Sequence, residues 1–418
     1  MHVSLDSALG RQRRLNSVGE SVLQIAPNAA AAYSLRSLTG GDPKVVRVRR
    51  GSNNVESDFT ASGVSSGALL DFVTTSQIGW NVQPTFSNDS GTGSVTSQSS
   101  TATTATVAFT GDADLIRQTS KPNHVLGSSG DQVIFNISVS GLDSAGTLRL
   151  RTSGTNTTVG SSSISNGNNQ DITLNLTGSA GYLAMTFAAS SGGTITFNSI
   201  KVLPKSGFVE TWYDQSGNSN DVTQATAGSQ PKIVNAGSLV VDSAGLPEID
   251  FDGSNDCLTA SSYSRSGEDL PLTMISVFDQ DVAGVDYVVA LNQTDNNAFD
   301  RILLRTNSFD YGRRATDNTF KAGSGSDPDV NTKYLFTAIN AGTTSSGFVD
   351  GSSIFSGVDT NVGTQAMNQI DIGLNNGDSS GGANPFDGKM QEIIIYETDQ
   401  SANRTALEAN INSHYSIF

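Results

Sequence analysis

The chain holds one cysteine, three histidines and two tryptophans in 418 residues, and only 15% of its residues are charged. A lone cysteine, Cys257, forms no intramolecular disulfide, which excludes a disulfide framework and any zinc site built on cysteine. His2, His124 and His414 stand far apart. No nucleophile-elbow sequence surrounds His124, so it reads as a loop histidine rather than the base of a Ser-His-Asp triad. No apolar run approaches the roughly 20 residues of a membrane span. The first ten residues lack the basic start and apolar stretch of a secretory signal. The expectation is a soluble protein made without cleavable targeting.

Serine, threonine, asparagine and 43 glycines stand where charge is missing, while 36% of the chain is apolar. Short hydroxyl and amide side chains compete with the helical backbone for hydrogen bonds, so this mixture favours turn-rich β-structure over long helices. Apolar content is too high for a disordered chain, and the length suggests two or three domains. The net charge is −16, unevenly placed. Residues 1–50 carry eight basic and three acidic side chains, so the remainder is strongly acidic and disfavours nucleic acid and membrane surfaces at long range. Arg11, Arg13 and Arg14 lie in a segment without interleaved aromatics, which reads as an arm over 1–28 docking onto an acidic partner surface rather than onto nucleic acid.

Local patterns refine this outline. Asn28 followed by Ala29-Ala30-Ala31-Ala32-Tyr33-Ser34-Leu35-Arg36 predicts a short capped helix. Gly40-Gly41-Asp42-Pro43 predicts a turn, residues 44–50 a β-branched strand, and residues 67–73 a helical turn or strand. Between 75 and 206 charge thins, and short alternating runs such as Val133-Ile134-Phe135-Asn136-Ile137-Ser138-Val139 recur between Ser/Gly/Asn turns. That spacing predicts a self-contained jelly-roll sandwich of roughly 130 residues. Strand and turn patterns resume from 207. Helical spacing appears only at residues 399–414, where Leu407 and Ile411, four apart, are expected to seal one sandwich edge. The fold class is all-β.

Two segments stand out together. Ala32-Tyr33-Ser34-Leu35-Arg36 leads into Val46-Arg47-Val48-Arg49-Arg50-Gly51-Ser52-Asn53-Asn54, and much later comes Thr211-Trp212-Tyr213-Asp214-Gln215-Ser216-Gly217-Asn218-Ser219-Asn220-Asp221. The pair resembles the catalytic domain of glycoside hydrolase 54 α-L-arabinofuranosidases, and more closely the copies of that domain in bacteriophage virion proteins. Ile249-Asp250-Phe251-Asp252-Gly253 and Phe386-Asp387-Gly388-Lys389-Met390 resemble laminin-G-like hairpin and final strands. The resemblance implies a concanavalin-like sandwich over 29–74 and 207–418, with the 75–206 sandwich, similar to a carbohydrate-binding module, inserted between its strands. It further implies a virion-surface protein, a tail appendage or fibre or a head decoration. The basic arm is expected to dock to other virion proteins through Arg11, Arg13 and Arg14, and the resemblance implies homo-oligomers, with trimers favoured.

Activity carries over less completely. The resemblance places the acid of those enzymes at Asp378, in Gly373-Leu374-Asn375-Asn376-Gly377-Asp378, and puts Asn307 where their nucleophilic glutamate stands. A retaining glycosidase needs two carboxyls about 5 Å apart, one of which attacks the sugar. An amide cannot attack, although Asp300 or Asp310 offers a substitute. The family's vicinal cysteine pair is also missing. Glycan binding without cleavage is therefore the leading expectation, with an arabinofuranosidase-like hydrolase and a ligand-free cement protein as rivals. The residues assigned to a glycan are Trp212, Tyr213, Asp214, Gln215 and Asn218, where the aromatics either stack a sugar ring or pack into the sheet. Trp80 and Tyr182 in the insertion carry the same two readings. No cofactor is expected. The oxygen-rich run 214–221 resembles a calcium loop without its closing glutamate and reads first as an Asx-rich turn. Asp279, Asp281 and Asp286 read as a solvated acidic loop, and Cys257 as a small apolar core residue.

Overall fold

A computed structural model describes the chain except for residues 1–19, 52–53, 75–84, 91, 102–103, 119–130, 153–156, 188–191, 204–205, 268–270, 294–299, 315–319, 360–365 and 375–383. Arg11, Arg13, Arg14, Trp80, His124 and Asp378 therefore lie outside the described residues, as does the side chain of Asp300. The protein is an all-β assembly of two kinds of sandwich.

The larger one is built from two antiparallel layers. In the first, Asp387–Tyr396 is the central strand, with Ala31–Ser34 and Ile249–Asp252 sharing one of its edges. On its other edge come Leu272–Gln280, Lys333–Asn340, Thr344–Val349 and Ser352–Asp359 in turn. The second layer runs from Glu56–Thr60 through Lys44–Arg50, Gly207–Trp212, Val222–Thr223, Leu258–Ala260, Gln369–Ile372, Tyr287–Asn292 and Asp300–Arg305 to Asp310–Arg314. Between the layers Met274, Phe278, Phe336, Ile393 and Ile395 pack against Val289, Leu291, Ile302, Leu304, Ile370 and Ile372.

Successive side chains on a strand point to opposite faces, so a strand apolar on both faces needs two covers. Ile393 and Ile395 face the main core, while Ile394 and Tyr396 face a second cluster with Ile275, Val277 and Leu335. Leu407, Ile411 and Tyr415 of the terminal helix Arg404–Tyr415 supply that second cover, together with Val22 and Ala26. The helix thus lies across a sheet face rather than sealing an edge. Residues 21–28 belong to the body as well: Ser21 and Gln24 form a capping box for Val22–Ile25, and Val22 is fully buried. The arm read from the sequence as far as residue 28 therefore gives way to packed structure by Ser21.

The same geometry explains why 29–36 is not a helix. Ala31–Ser34 is a strand in register with Glu392–Ile395, buried along its whole length. Ala31 and Tyr33 face the main core, and Ala32 faces the outer layer. Sheet pairing and two-sided burial outweigh the helix preference of alanine, which is worth only tenths of a kcal/mol per residue. The ambiguous run at 67–73 is the helix Ala68–Thr74.

Strands between 85 and 203 pair only with one another, in two five-stranded antiparallel sheets. In Gln132–Ser140 the buried residues alternate as Val133, Phe135, Ile137 and Val139. They share a separate core in which Phe109 stacks on Phe187 at 4.4 Å between ring centroids.

Candidate functional site at the loop rim

The residues assigned to a glycan form a clasp around the first strand. Trp212 is fully buried and packs on Tyr33, with centroids 5.8 Å apart. The Tyr213 hydroxyl donates to Asp58 at 2.8 Å. Burial and the Asp58 carboxylate push that phenol up to about 12. The Asp214 carboxylate accepts the N–H groups of Ala32, Ser216 and Asn220 and the Ser216 hydroxyl. Gln215 accepts from Leu38 N–H and donates to the carbonyls of Ser34 and Arg36. Asn218 donates to the carbonyls of Ala29 and Ala30. Trp212 and Gln215 therefore have no face or group open to a sugar, which corrects their assignment. The capacity of Asp214 and Asn218 is directed to backbone. Asp221 accepts the Asp214 N–H, so this run is an Asx-type turn.

Asn307, at the position matched to the nucleophile, lies elsewhere, at one rim of the large sandwich. Thr306 N–H donates to the Asp286 carbonyl at 3.0 Å, and Asp286 N–H donates back to the Thr306 hydroxyl. The described residues on either side of 375–383, Gly373 and Asn384 to Phe386, lie at the same place. Gly373 N–H donates to Val288 O, Tyr287 N–H donates to Asn384 O, and Phe386 N–H closes the base onto Gly373 O at 2.8 Å. Gly373 has φ +83°, and a side chain there would collide with the Phe251 ring, so glycine is required at this base.

Asn307 opens a tight turn in which Ser308 and Phe309 both take positive φ, +54° and +45°. Left-handed backbone costs about 1–3 kcal/mol for such residues and is kept where the surroundings enforce it. Here the anchor is the buried Phe309 ring, 5.0 Å from Tyr334 and 5.5 Å from Phe336. The Asn307 side chain bonds Asp310, which also pairs with Arg305 at 2.7 Å. Asp310 is thereby engaged and buried, a poor substitute nucleophile.

Two carboxyls at this rim are held towards their neutral forms. Burial, then the nearby Asp387, raises Asp286 to about 6. Burial, then Asp252, raises Asp256 to about 7. Of the expected acidic loop, Asp286 alone belongs here. Asp279 instead sits in a ladder of alternating charge across five strands, Lys232–Asp250–Lys389–Asp279–Lys333. Asp281 pairs with Lys389. Opposite charges on directly facing strand positions attract, which fixes register as well as charge balance.

One polar cluster escaped the sequence reading. Ile370 and Ile372 point into the core, so Asp371 points to the other face, where it is fully buried. It accepts from Thr259 at 2.7 Å, Asn292 at 2.6 Å and Gln369 at 2.8 and 2.9 Å. The available signal was an acid between two isoleucines in a short strand. Cys257 is buried beside this cluster, with Gln224 and Thr259 near its sulfur, rather than in the apolar core. Burial, with Asp371 next in effect, pushes its thiol up to about 11.

No protein-family model matches the chain, and no curated protein matches it. Similar solved structures include an arabinofuranosidase complexed with arabinofuranosyl-α-1,2-xylobiose, at 12% identity and a TM-score of 0.43 over 92% of this chain and 62% of that one. A GH54 α-L-arabinofuranosidase soaked with a cyclic sulfate inhibitor is 16% identical, with a TM-score of 0.36 over 67% and 62%. NanB sialidase from Streptococcus pneumoniae, as its K499G mutant, is 19% identical, with a TM-score of 0.31 over 38% and 27%. The chain thus spans 62% of the length of the first arabinofuranosidase. Likeness at this level says nothing of ligand or activity.

Proposed function

We propose that the chain is a glycan-recognising β-sandwich protein that binds at the rim formed by Asp286, Asn307, Gly373 and Asn384 without cleaving its ligand. Asn307 carries this reading. Its strained, Phe309-anchored turn holds an amide, bonded to Asp310, at the position matched to the nucleophilic glutamate, and an amide can orient a sugar hydroxyl but cannot attack an anomeric carbon. A hydrolase remains the second reading, because Asp286 at the same rim has the raised pKa of a general acid. A glycan array combined with an aryl α-L-arabinofuranoside assay separates the two. Binding without sugar release supports recognition, and release lost in Asp378→Asn supports hydrolysis.

The finer setting is a bacteriophage particle, with the sandwiches displayed outward and residues 1–19 attaching them. Its support is the sequence resemblance to virion copies of the domain and the run of Arg11, Arg13 and Arg14 ahead of an acidic body. Removing residues 1–19 leaves the buried Val22 and Ala26 in place. Particles assembled with the trimmed chain should lack it, and full incorporation would exclude this attachment.

A further inference from the structure

Lys333 stands two residues before Leu335, so its side chain shares the outer face of the first layer, where the Tyr415 ring lies 5.6 Å from its ammonium. There it pairs with Asp242 Oδ2, and Glu248 Oε1 is 3.9 Å from the same nitrogen. The side chains of Asp242 and Glu248 are 4% exposed and that of Lys333 16%, so three ionisable groups meet with little access to water. Asp242 opens the tight turn that precedes strand Ile249–Asp252, and its N–H donates to Leu246 O at 2.9 Å. Gln391 fixes that turn over the sheet: its amide donates to Asp242 Oδ2 and to Pro247 O, both at 3.3 Å.

The two Asp242 oxygens have different surroundings. Oδ1 accepts the N–H groups of Ala244 and Leu246, at 2.9 and 2.8 Å, while Oδ2 faces Lys333 and Gln391. Two backbone donors on one oxygen polarise the carboxyl carbon and are placed to hold charge that gathers there during an attack. An ion pair taken out of water loses hydration that its own attraction only partly restores. Burial, then Asp279, pushes Glu248 up to about 7, with Asp242 adding to the rise and Lys333 and Lys389 opposing it. Glu248 can thus accept and return a proton near neutral pH. We propose that Lys333 and Asp242 condense to an intramolecular amide, with Glu248 carrying the protons. Glu248 takes a proton from Nζ, and the freed lone pair attacks Asp242 Cγ, forming the Cγ–Nζ bond as charge gathers on Oδ1. The Cγ–Oδ2 bond then breaks, and Oδ2 leaves as water with the two protons that the nitrogen gives up. Ammonium and carboxylate become one amide and one water, so no oxidant or activating group is needed. The link joins residues 91 apart in sequence, across the central strand Asp387–Tyr396. This inference is independent of the glycan reading.

Mass spectrometry of the denatured full chain, intact and after trypsin, tests it. The intact chain is expected to be lighter than its sequence by one water. The digest should contain residues 233–265 joined to residues 322–389, with cleavage after Lys333 lost. Lys333→Arg and Asp242→Ala proteins should each show the full mass of their own sequence and no joined peptide. Glu248→Gln removes a proton carrier worth roughly a hundredfold in rate, so that protein should be recovered largely unjoined. Thermal melts establish that each variant is folded, and the parent measurement stands without them. A parent chain of full mass, with ordinary cleavage after Lys333, overturns the inference and leaves an ion pair. A lighter mass without the joined peptide, as from cyclisation at an Asp-Gly pair, overturns it too. Complete joining in folded Glu248→Gln protein overturns the role of Glu248.

Discussion

The Asp214 carboxylate accepts the backbone N–H of Ala32 at 2.9 Å across 182 residues of chain. Two segments that stand out as sequence are thus each other's partners in space, and the acid and amides of the second hold strand Ala31–Ser34 against its neighbours. Asp214→Ala removes one acceptor of four hydrogen bonds and is expected to cost roughly 2–4 kcal/mol. Urea unfolding measures this. A change below half a kcal/mol, on the order of an unremarkable surface substitution, would show that the clasp is not structural.

The terminal helix covers a sheet face that would otherwise be apolar and wet. Leu407→Ala and Ile411→Ala each remove a fully buried side chain and are expected to cost about 2–5 kcal/mol. Chemical denaturation gives the value. Near-neutral effects would mean that the helix is an ornament on an already complete sandwich.

Asp256 makes stability depend on pH. Its folded pKa, raised to about 7 by burial and Asp252, lies above the unfolded carboxyl value of about 4. The folded state therefore holds this proton more tightly. The contribution is fully present below about pH 4 and is lost as pH rises through 7. Asp256→Asn should gain on the parent protein between pH 5 and pH 8 in paired urea melts. A constant difference across that range contradicts the assignment.

Ser308 sits at φ +54° inside the turn that carries Asn307. Glycine accepts that backbone without steric cost, so Ser308→Gly is expected to stabilise by up to about 1 kcal/mol despite the looser unfolded chain. It should also loosen the rim and weaken glycan binding. Stabilisation with unchanged binding would separate the strain from the site.

Much of the architecture was legible because period-two alternation survives wherever one sheet face is dry and the other wet, as in Val133 to Val139. Ile393–Tyr396 and Ala31–Ser34 break that rule because both of their faces are covered, and for the alanines propensity pointed to the wrong element. Trp212 illustrates a second limit. An aromatic in a distinctive run marks a fixed position in the fold, and its residue type alone does not say whether it faces core or ligand. Asp371 stayed hidden because two of its partners, Thr259 and Asn292, come from neighbouring strands that only the sheet order brings to it, while Gln369 lies two residues away on its own strand. The rim was only half legible. Asn307 and Asp378 were identified by resemblance, but Asp286 and Asp256 acquire their raised pKa values from burial and neighbours that arrive through folding.

The most direct test of the account pairs a glycan array with product analysis on the intact chain and on Asn307→Trp, whose larger side chain fills the rim and whose fold is checked by thermal melts. The account predicts a bound glycan class for the parent protein, loss of that signal in Asn307→Trp, and no sugar released by either. Release of arabinose by the parent protein, or array binding unchanged in Asn307→Trp, would contradict it.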